Sequence, residues 1–267
     1  MRRRPFLLLI VAILVAPLTV AWAAGAWAAG VPAGLTPAGD GMVATVQDAL
    51  TLTLDDGRTV RLTGLTGPAA DGNAADGGEG MQILASLVRG ERVLLYFAGR
   101  AQDRYGRVLA HLVRERDGLW VQGELLRRGL ARMETWADAR GAAAALRRAE
   151  REGRSAGAGL WGAPDGQPRD AGRSPRDWVA DFGRFHLVRG KVLTATKARD
   201  RVYLNFGGEW RSDFTVEIEN RDLRLFDGAL DPLKLAGKVV EVRGWVEEAG
   251  GPAIRVTHPE QIEVMEP

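Results

Sequence analysis

The 267-residue chain contains no cysteine, so disulfides, thiolate nucleophiles and cysteine-ligated metal centres are excluded. Its three histidines, His111, His186 and His258, are far apart in sequence. A helical two-histidine metal site of the H-E-x-x-H kind is therefore excluded as well. His111 is a lone histidine on a strand and reads as structural; His258, before Pro259, reads as a turn residue. Three acids, Asp71, Asp76 and Glu79, fall in one glycine-rich stretch and could in principle be brought to a pocket. In the second half, Trp178, Trp210 and Trp245 with Tyr203 and Phe206 could either form a base-stacking platform or fill a small core. The run R-R-A-E-R-E-G-R at 147–154 reads as a solvated helix face with i,i+4 ion pairs.

These residues depend on elements that the hydropathy pattern lays out. Apolar residues make up 46% and charged residues 26%, an ordinary globular composition with room for two modest cores. Residues 1–28 read as a secretory signal peptide. Arg2, Arg3 and Arg4 precede the apolar run Phe6–Val15, and Ala21-Trp22-Ala23 and Ala26-Trp27-Ala28 are both A-x-A cleavage patterns. This predicts export to the periplasm or medium, with a mature start near Ala24 or Ala29 and no stable membrane span thereafter. The alternative is an uncleaved N-terminal anchor. Loss of the three arginines shifts the net charge from +2 to −1, so bulk charge gives no support for polycationic nucleic-acid binding.

Residues 29–41 are small and Pro/Gly-rich and read as a linker. Short strands follow over Met42–Gln47, Leu50–Leu54 and Thr59–Leu65, with Asp55-Asp56-Gly57 as a tight turn. Residues 66–80 read as a loop. Met81, Leu84, Leu87 and Val88 repeat at helical spacing up to Gly90. Strands at Arg92–Phe97 and Arg107–Val113 precede two helices, one around Leu119–Leu126 stopped by Gly129, the other over 137–154. A domain over 42–163 is expected to end at Gly159-Leu160-Trp161-Gly162. A linker over 164–183 leads to a second domain at 184–267, whose short strands suggest a small barrel.

Residues 42–162 resemble the thermonuclease, or staphylococcal-nuclease-like, family. The resemblance rests on V-Q-D-A-L-T-L-T-L at 46–54, D-G-R-T-V-R-L-T-G-L at 56–65, D-R-Y-G-R-V-L-A-H-L at 103–112, V-Q-G-E-L-L-R-R-G-L-A-R at 121–132 and G-L-W-G at 159–162. It implies a β-rich α+β fold: a five-stranded oligonucleotide/oligosaccharide-binding (OB-fold) barrel with packed helices. The second half is similar to a small OB-like β-barrel appended to bacterial members of the family.

The family's chemistry is calcium-dependent hydrolysis of DNA and RNA, using carboxylates on a hard cation, an acid near the attacking water and two arginines on the phosphate. The resemblance places the arginines at Arg61 and Arg107. Arg104 and Tyr105 match positions that contact a nucleotide. Where the family has D-G-D-T the chain reads Asp48-Ala49-Leu50-Thr51, and where it has D-[TA]-P-E the chain reads Thr66-Gly67-Pro68-Ala69. Leu50, Thr66 and Ala69 thus stand at two calcium carboxylates and at the general base, so no metal ligand is assigned.

Arg61 and Arg107 either bind an anion or pair with Asp48, Asp103 or Glu79. Asp48 alone reads as a residue bonding its own turn. The expectation is an exported nuclease-fold protein without cofactor that binds a phosphate-bearing or other anionic ligand, nucleic acid included, or an envelope protein partner. The alternative is a calcium-dependent nuclease.

Overall fold

A computed structural model of the chain describes residues 30–67, 74–209 and 211–265, with backbone alone for 74–77. The leader, Pro68, Ala69, Asp71 and Trp210, and the side chain of Asp76, lie outside the described residues.

The first half contains β1 (Thr36–Asp48), β2 (Thr51–Leu54), β3 (Thr59–Leu62), β4 (Leu65–Thr66), α1 (Ala74–Val88), β5 (Arg92–Phe97), β6 (Val108–Arg114), α2 (Val121–Arg127), β7 (Arg132–Met133) and α3 (Ala143–Ser155). Five strands close a barrel in the order β1-β2-β3-β6-β5, with β3 and β6 parallel. Alternate residues point inward, so Leu52, Leu54, Val60, Leu62, Val93, Leu95, Ala110 and Leu112 fill it. The Asp55–Gly57 turn forms as expected, with Gly57 at φ +87°. Gly129, at φ +65°, follows α2.

Two expectations shift here. Residues 36–41, read as linker, are strand: they pair with β5 alone, where Pro37 leaves no ladder partner unsatisfied on its other side. Helix α1 starts at Ala74, inside the stretch read as loop.

The second half contains β8 (Arg169–Asp170), β9 (Phe185–Lys191), β10 (Thr194–Lys197), β11 (Arg201–Asn205), β12 (Thr215–Glu219), β13 (Val239–Glu248), β14 (Pro252–Arg255) and β15 (Ile262–Val264). The sheet order is β10-β11-β12-β14-β13-β9-β8, with β15 on β13. β9 and β10 are consecutive lengths of one strand. Val192 N–H bonds toward β13, at Lys238, and Leu193 N–H bonds to Asn205 of β11. The path therefore returns on itself in the same strand order as the first barrel.

The 164–183 segment is not a free linker. β8 pairs with β9, Trp178 is fully buried and stacks on Phe214 at 5.0 Å, and buried Asp181 holds Arg169, Arg173 and His186. Trp178 and Phe206 are core residues of the second barrel. Its Pro/Gly composition hid an aromatic anchor and an ion cluster.

The barrels meet across a polar seam. The α3 arginines, expected on a solvated face, reach the second barrel: Arg147 donates to the Glu260 carbonyl, Arg151 pairs with Glu263, and Arg154 with Glu241. Arg140 makes a two-pronged bond to Glu260 at 2.7 Å on each prong. His258 is buried and bridges the hydroxyls of Thr135 and Thr257 at 2.8 and 2.9 Å, so it joins the domains rather than marking a bare turn. Deepest of all, Arg243 of β13 pairs with Glu150 of α3 at 2.9 Å.

Candidate functional site

In the parallel β3–β6 register, Val60 faces Val108 and Arg61 faces Leu109. Val60, Leu62, Val108 and Ala110 point into the barrel, so Arg61, Arg107 and Leu109 share the outer face. Strand alternation alone thus brings the two arginines together. They line a cleft of about 920 Å³ with Arg100, Arg104, Asp48, Asp103, Tyr105 and Glu134. Its lining carries four arginines and three carboxylates.

Both arginines are partly paired. Arg61 Nη1 donates to Thr51 Oγ1 at 3.2 Å and Asp48 Oδ1 at 3.4 Å. Burial pushes its proton affinity down, Asp48 opposes this, and the nearby Arg107 presses the same way as burial. Arg107 Nε donates to Asp103 Oδ2 at 2.7 Å. A guanidinium has five N–H donors, so each arginine keeps terminal donors for a ligand.

Asp103 organises the turn before β6. Its Oδ1 accepts the N–H groups of Tyr105 at 2.9 Å and Arg107 at 3.0 Å. Although desolvation works against it, the bonds from Arg107 hold its carboxyl below the usual range. Tyr105 is 68% exposed, with the Arg104 and Arg107 guanidiniums 4.9 and 5.4 Å from its ring centre. Arg104 has no carboxylate partner among the described residues. The structure therefore brings Arg61, Arg104, Tyr105 and Arg107 to one cleft.

Asp48 bonds its own turn: its Oδ1 accepts the Leu50 N–H at 2.7 Å. Leu50 is 2% exposed and packs in the barrel core. Thr66 is buried on β4, and its side chain is among the groups that pull the Glu134 carboxyl down. Among the described residues, no group of three or more His, Asp or Glu side chains is placed to hold a metal ion. Glu79 is exposed and does not line the cleft. His111 is fully buried, accepts from Trp120 Nε1 at 3.3 Å, and is pushed by desolvation to about 3.

Three cleft residues carry no sequence motif. Glu134, just past β7, is half-buried, and burial raises its carboxyl against the pull of Trp245, Arg61 and Thr66. Trp136 is 51% exposed. Trp245 comes from β13 of the second barrel and donates through Nε1 to Glu134 Oε1 at 2.9 Å.

The alternation in Met133-Glu134-Thr135-Trp136 was an available signal. Met133 and Thr135 are buried, so the exposed tryptophan falls on the other face.

The family model for staphylococcal nuclease homologues matches residues 59–163. Those residues form a staphylococcal nuclease homologue domain. The match spans β3 to the turn at Gly159–Gly162, and its closed barrel is completed upstream by β1 and β2. A search of curated proteins found no match to the chain. The nuclease-homologue domain carries both arginines, Tyr105, Glu134 and Trp136, while Trp245 reaches it from outside the matched segment.

Proposed function

We propose that this is an exported nuclease-fold protein that binds phosphate-bearing ligands, nucleic acid among them, without calcium-dependent cleavage. The observation that carries this reading is the contrast within one cleft. Arg61 and Arg107 share a face with terminal N–H donors to spare, whereas the neighbouring position of a calcium carboxylate is Leu50, a buried hydrocarbon side chain lining the same cleft. Hydrocarbon cannot ligate a hard cation. The second carboxylate position, Thr66, offers a buried neutral hydroxyl in place of a carboxylate. The described donors therefore do not fit calcium, and no hydrolytic step is assigned to them. Ala69, at the general-base position, lies outside the described residues but has no ionisable group.

The partly desolvated arginine pair suits a multi-oxygen anion, because charge-assisted hydrogen bonds gain strength away from bulk water. Calorimetric titration with inorganic phosphate and with the oligonucleotide tetrathymidylate tests this. Arg61→Ala and Arg107→Ala should each weaken both by about ten- to a hundred-fold, the scale of one charged hydrogen bond of about 1.5–3 kcal/mol. Affinity should fall as salt rises. Binding that is indifferent to both substitutions would overturn the assignment. In that case the fold would act as an envelope scaffold for a protein partner. A metal-dependent nuclease is the second reading, favoured by the family domain itself, and would need an acid from the 71–79 stretch.

A further inference from the structure

The second barrel does more than dock beside the nuclease-homologue domain. β13 places Arg243 and Trp245, two residues apart on one face, against the chain at Met133 and Glu134. Arg243 Nη1 donates to the Met133 carbonyl at 3.2 Å, and Glu150 Oε1 accepts the Met133 N–H at 2.7 Å. The next residue, Glu134, takes the Trp245 indole N–H. The indole is thus held at its polar edge by Glu134, and Phe185 packs against it edge-on with ring centres 6.0 Å apart. Even so, Trp245 remains 38% exposed.

Trp136 is on the same wall. It and Trp245 line the arginine cleft, and both also line a recess of about 130 Å³ that continues past them to Arg255 of β14. Tyr105, Trp136 and Trp245 are the exposed large aromatics among the described residues, and all three line this one cleft. Exposed rings scattered singly need no explanation, but their concentration beside cationic groups does. Arginines that meet phosphates, followed by ring faces on which bases stack, are what a single strand of nucleic acid requires.

We propose that the second barrel is part of the ligand site. Trp245, with Trp136, forms an aromatic step that stacks the bases of a single strand leaving the phosphate held by Arg61 and Arg107. The favoured ligand is then an oligonucleotide spanning both domains rather than a lone phosphate or mononucleotide. This rests on the phosphate-binding reading above. Glu134 takes the polar edge of the indole, which leaves the ring itself as the stacking element.

The test compares three probes: inorganic phosphate, tetrathymidylate, and hexaglutamate as a polyanion without rings. The readout is the ratio of tetrathymidylate to phosphate affinity, because releasing Glu134 from Trp245 could also alter phosphate binding at Arg61. Stacking is worth about 1–3 kcal/mol per base, or roughly five- to a hundred-fold. Trp245→Ala and Trp136→Ala should each lower the ratio by roughly ten-fold. Trp245→Phe, which keeps a ring but loses the N–H, should hold it within about three-fold. Hexaglutamate should bind no better than phosphate.

An unchanged ratio in Trp245→Ala and Trp136→Ala, with phosphate binding intact, would overturn the composite site. So would hexaglutamate binding as tightly as tetrathymidylate. Loss of phosphate binding by the wild-type protein would instead overturn the reading beneath it. Trp136→Ala touches none of the inter-barrel bonds, so it reports even if Trp245→Ala loosens the seam.

Discussion

Removing the guanidinium of Arg243 should unlock the two barrels. Arg243 and Glu150 have side chains 3% and 1% exposed, and their 2.9 Å bond sits at the centre of the seam. In Arg243→Ala the Glu150 carboxylate stays buried, keeping the Met133 N–H and the attraction of Arg132, Arg147 and Arg154, while the Met133 carbonyl loses its bond from Arg243. A buried charge left wholly uncompensated costs about 3–5 kcal/mol, and the nearby arginines hold the cost here toward the lower end of that range. Against the 5–15 kcal/mol typical of a folded domain, that is a large fraction. Urea unfolding followed by tryptophan fluorescence should give one transition in the wild type. In Arg243→Ala the midpoint should fall and the second barrel should separate from the first. The paired variant Arg243→Met with Glu150→Leu should recover part of the loss, because it removes both members of the pair, although buried Arg132 then loses the attraction of Glu150. A cost below about 1 kcal/mol for Arg243→Ala would refute the argument, since a seam open to water screens the lost charge.

Other consequences follow from burial. Leu50→Asp should destabilise the first barrel by about 2–5 kcal/mol, because it removes a buried side chain from the floor of the cleft, and it should bring no calcium affinity by itself; calorimetry with calcium and thermal melting read both. His111 and His258 are pushed by burial to about 3 and about 4, below the 6.5 of a free imidazole. The unfolded chain therefore takes up more protons than the folded one below that value, and stability should drop as pH falls from about 6.5 toward 4. Urea midpoints across that range should show the drop, and a flat profile would contradict the burial of these rings. The 164–183 segment should resist limited proteolysis, because Trp178 and Asp181 anchor it; rapid cutting there would contradict the fold.

Much of the fold was legible in the sequence because its signals are local. The D-D-G turn, the alternation of β13 and the glycine after α2 each name their element without reference to the rest of the chain. The 36–41 strand and the 164–183 segment were not legible, because small residues and prolines there are tolerated by a partner that the sequence does not reveal. The arginine half of the site was readable through motifs around Arg61 and Arg107. Of its other wall, only the alternation around Met133–Trp136 was. Glu134 and Trp136 lie outside any motif, and Trp245 arrives more than a hundred residues later on a different barrel. Only docking through Arg243, Arg140 and the α3 arginines brings it to the cleft. The α3 arginines reach the second barrel rather than solvent for the same reason: their acidic partners, Glu241, Glu260 and Glu263, are distant in sequence.

The most direct test of the central claim is incubation of fluorescein-labelled single-stranded DNA with calcium, comparing the wild-type protein with Arg107→Ala. Anisotropy and product length are read on the same samples. The account predicts that the DNA is bound by the wild type, bound about ten- to a hundred-fold more weakly by Arg107→Ala, and left at full length by both. Robust calcium-dependent turnover that disappears in Arg107→Ala would contradict it, and would mean that an acid elsewhere in the chain has taken over the role missing at Leu50, Thr66 and Ala69.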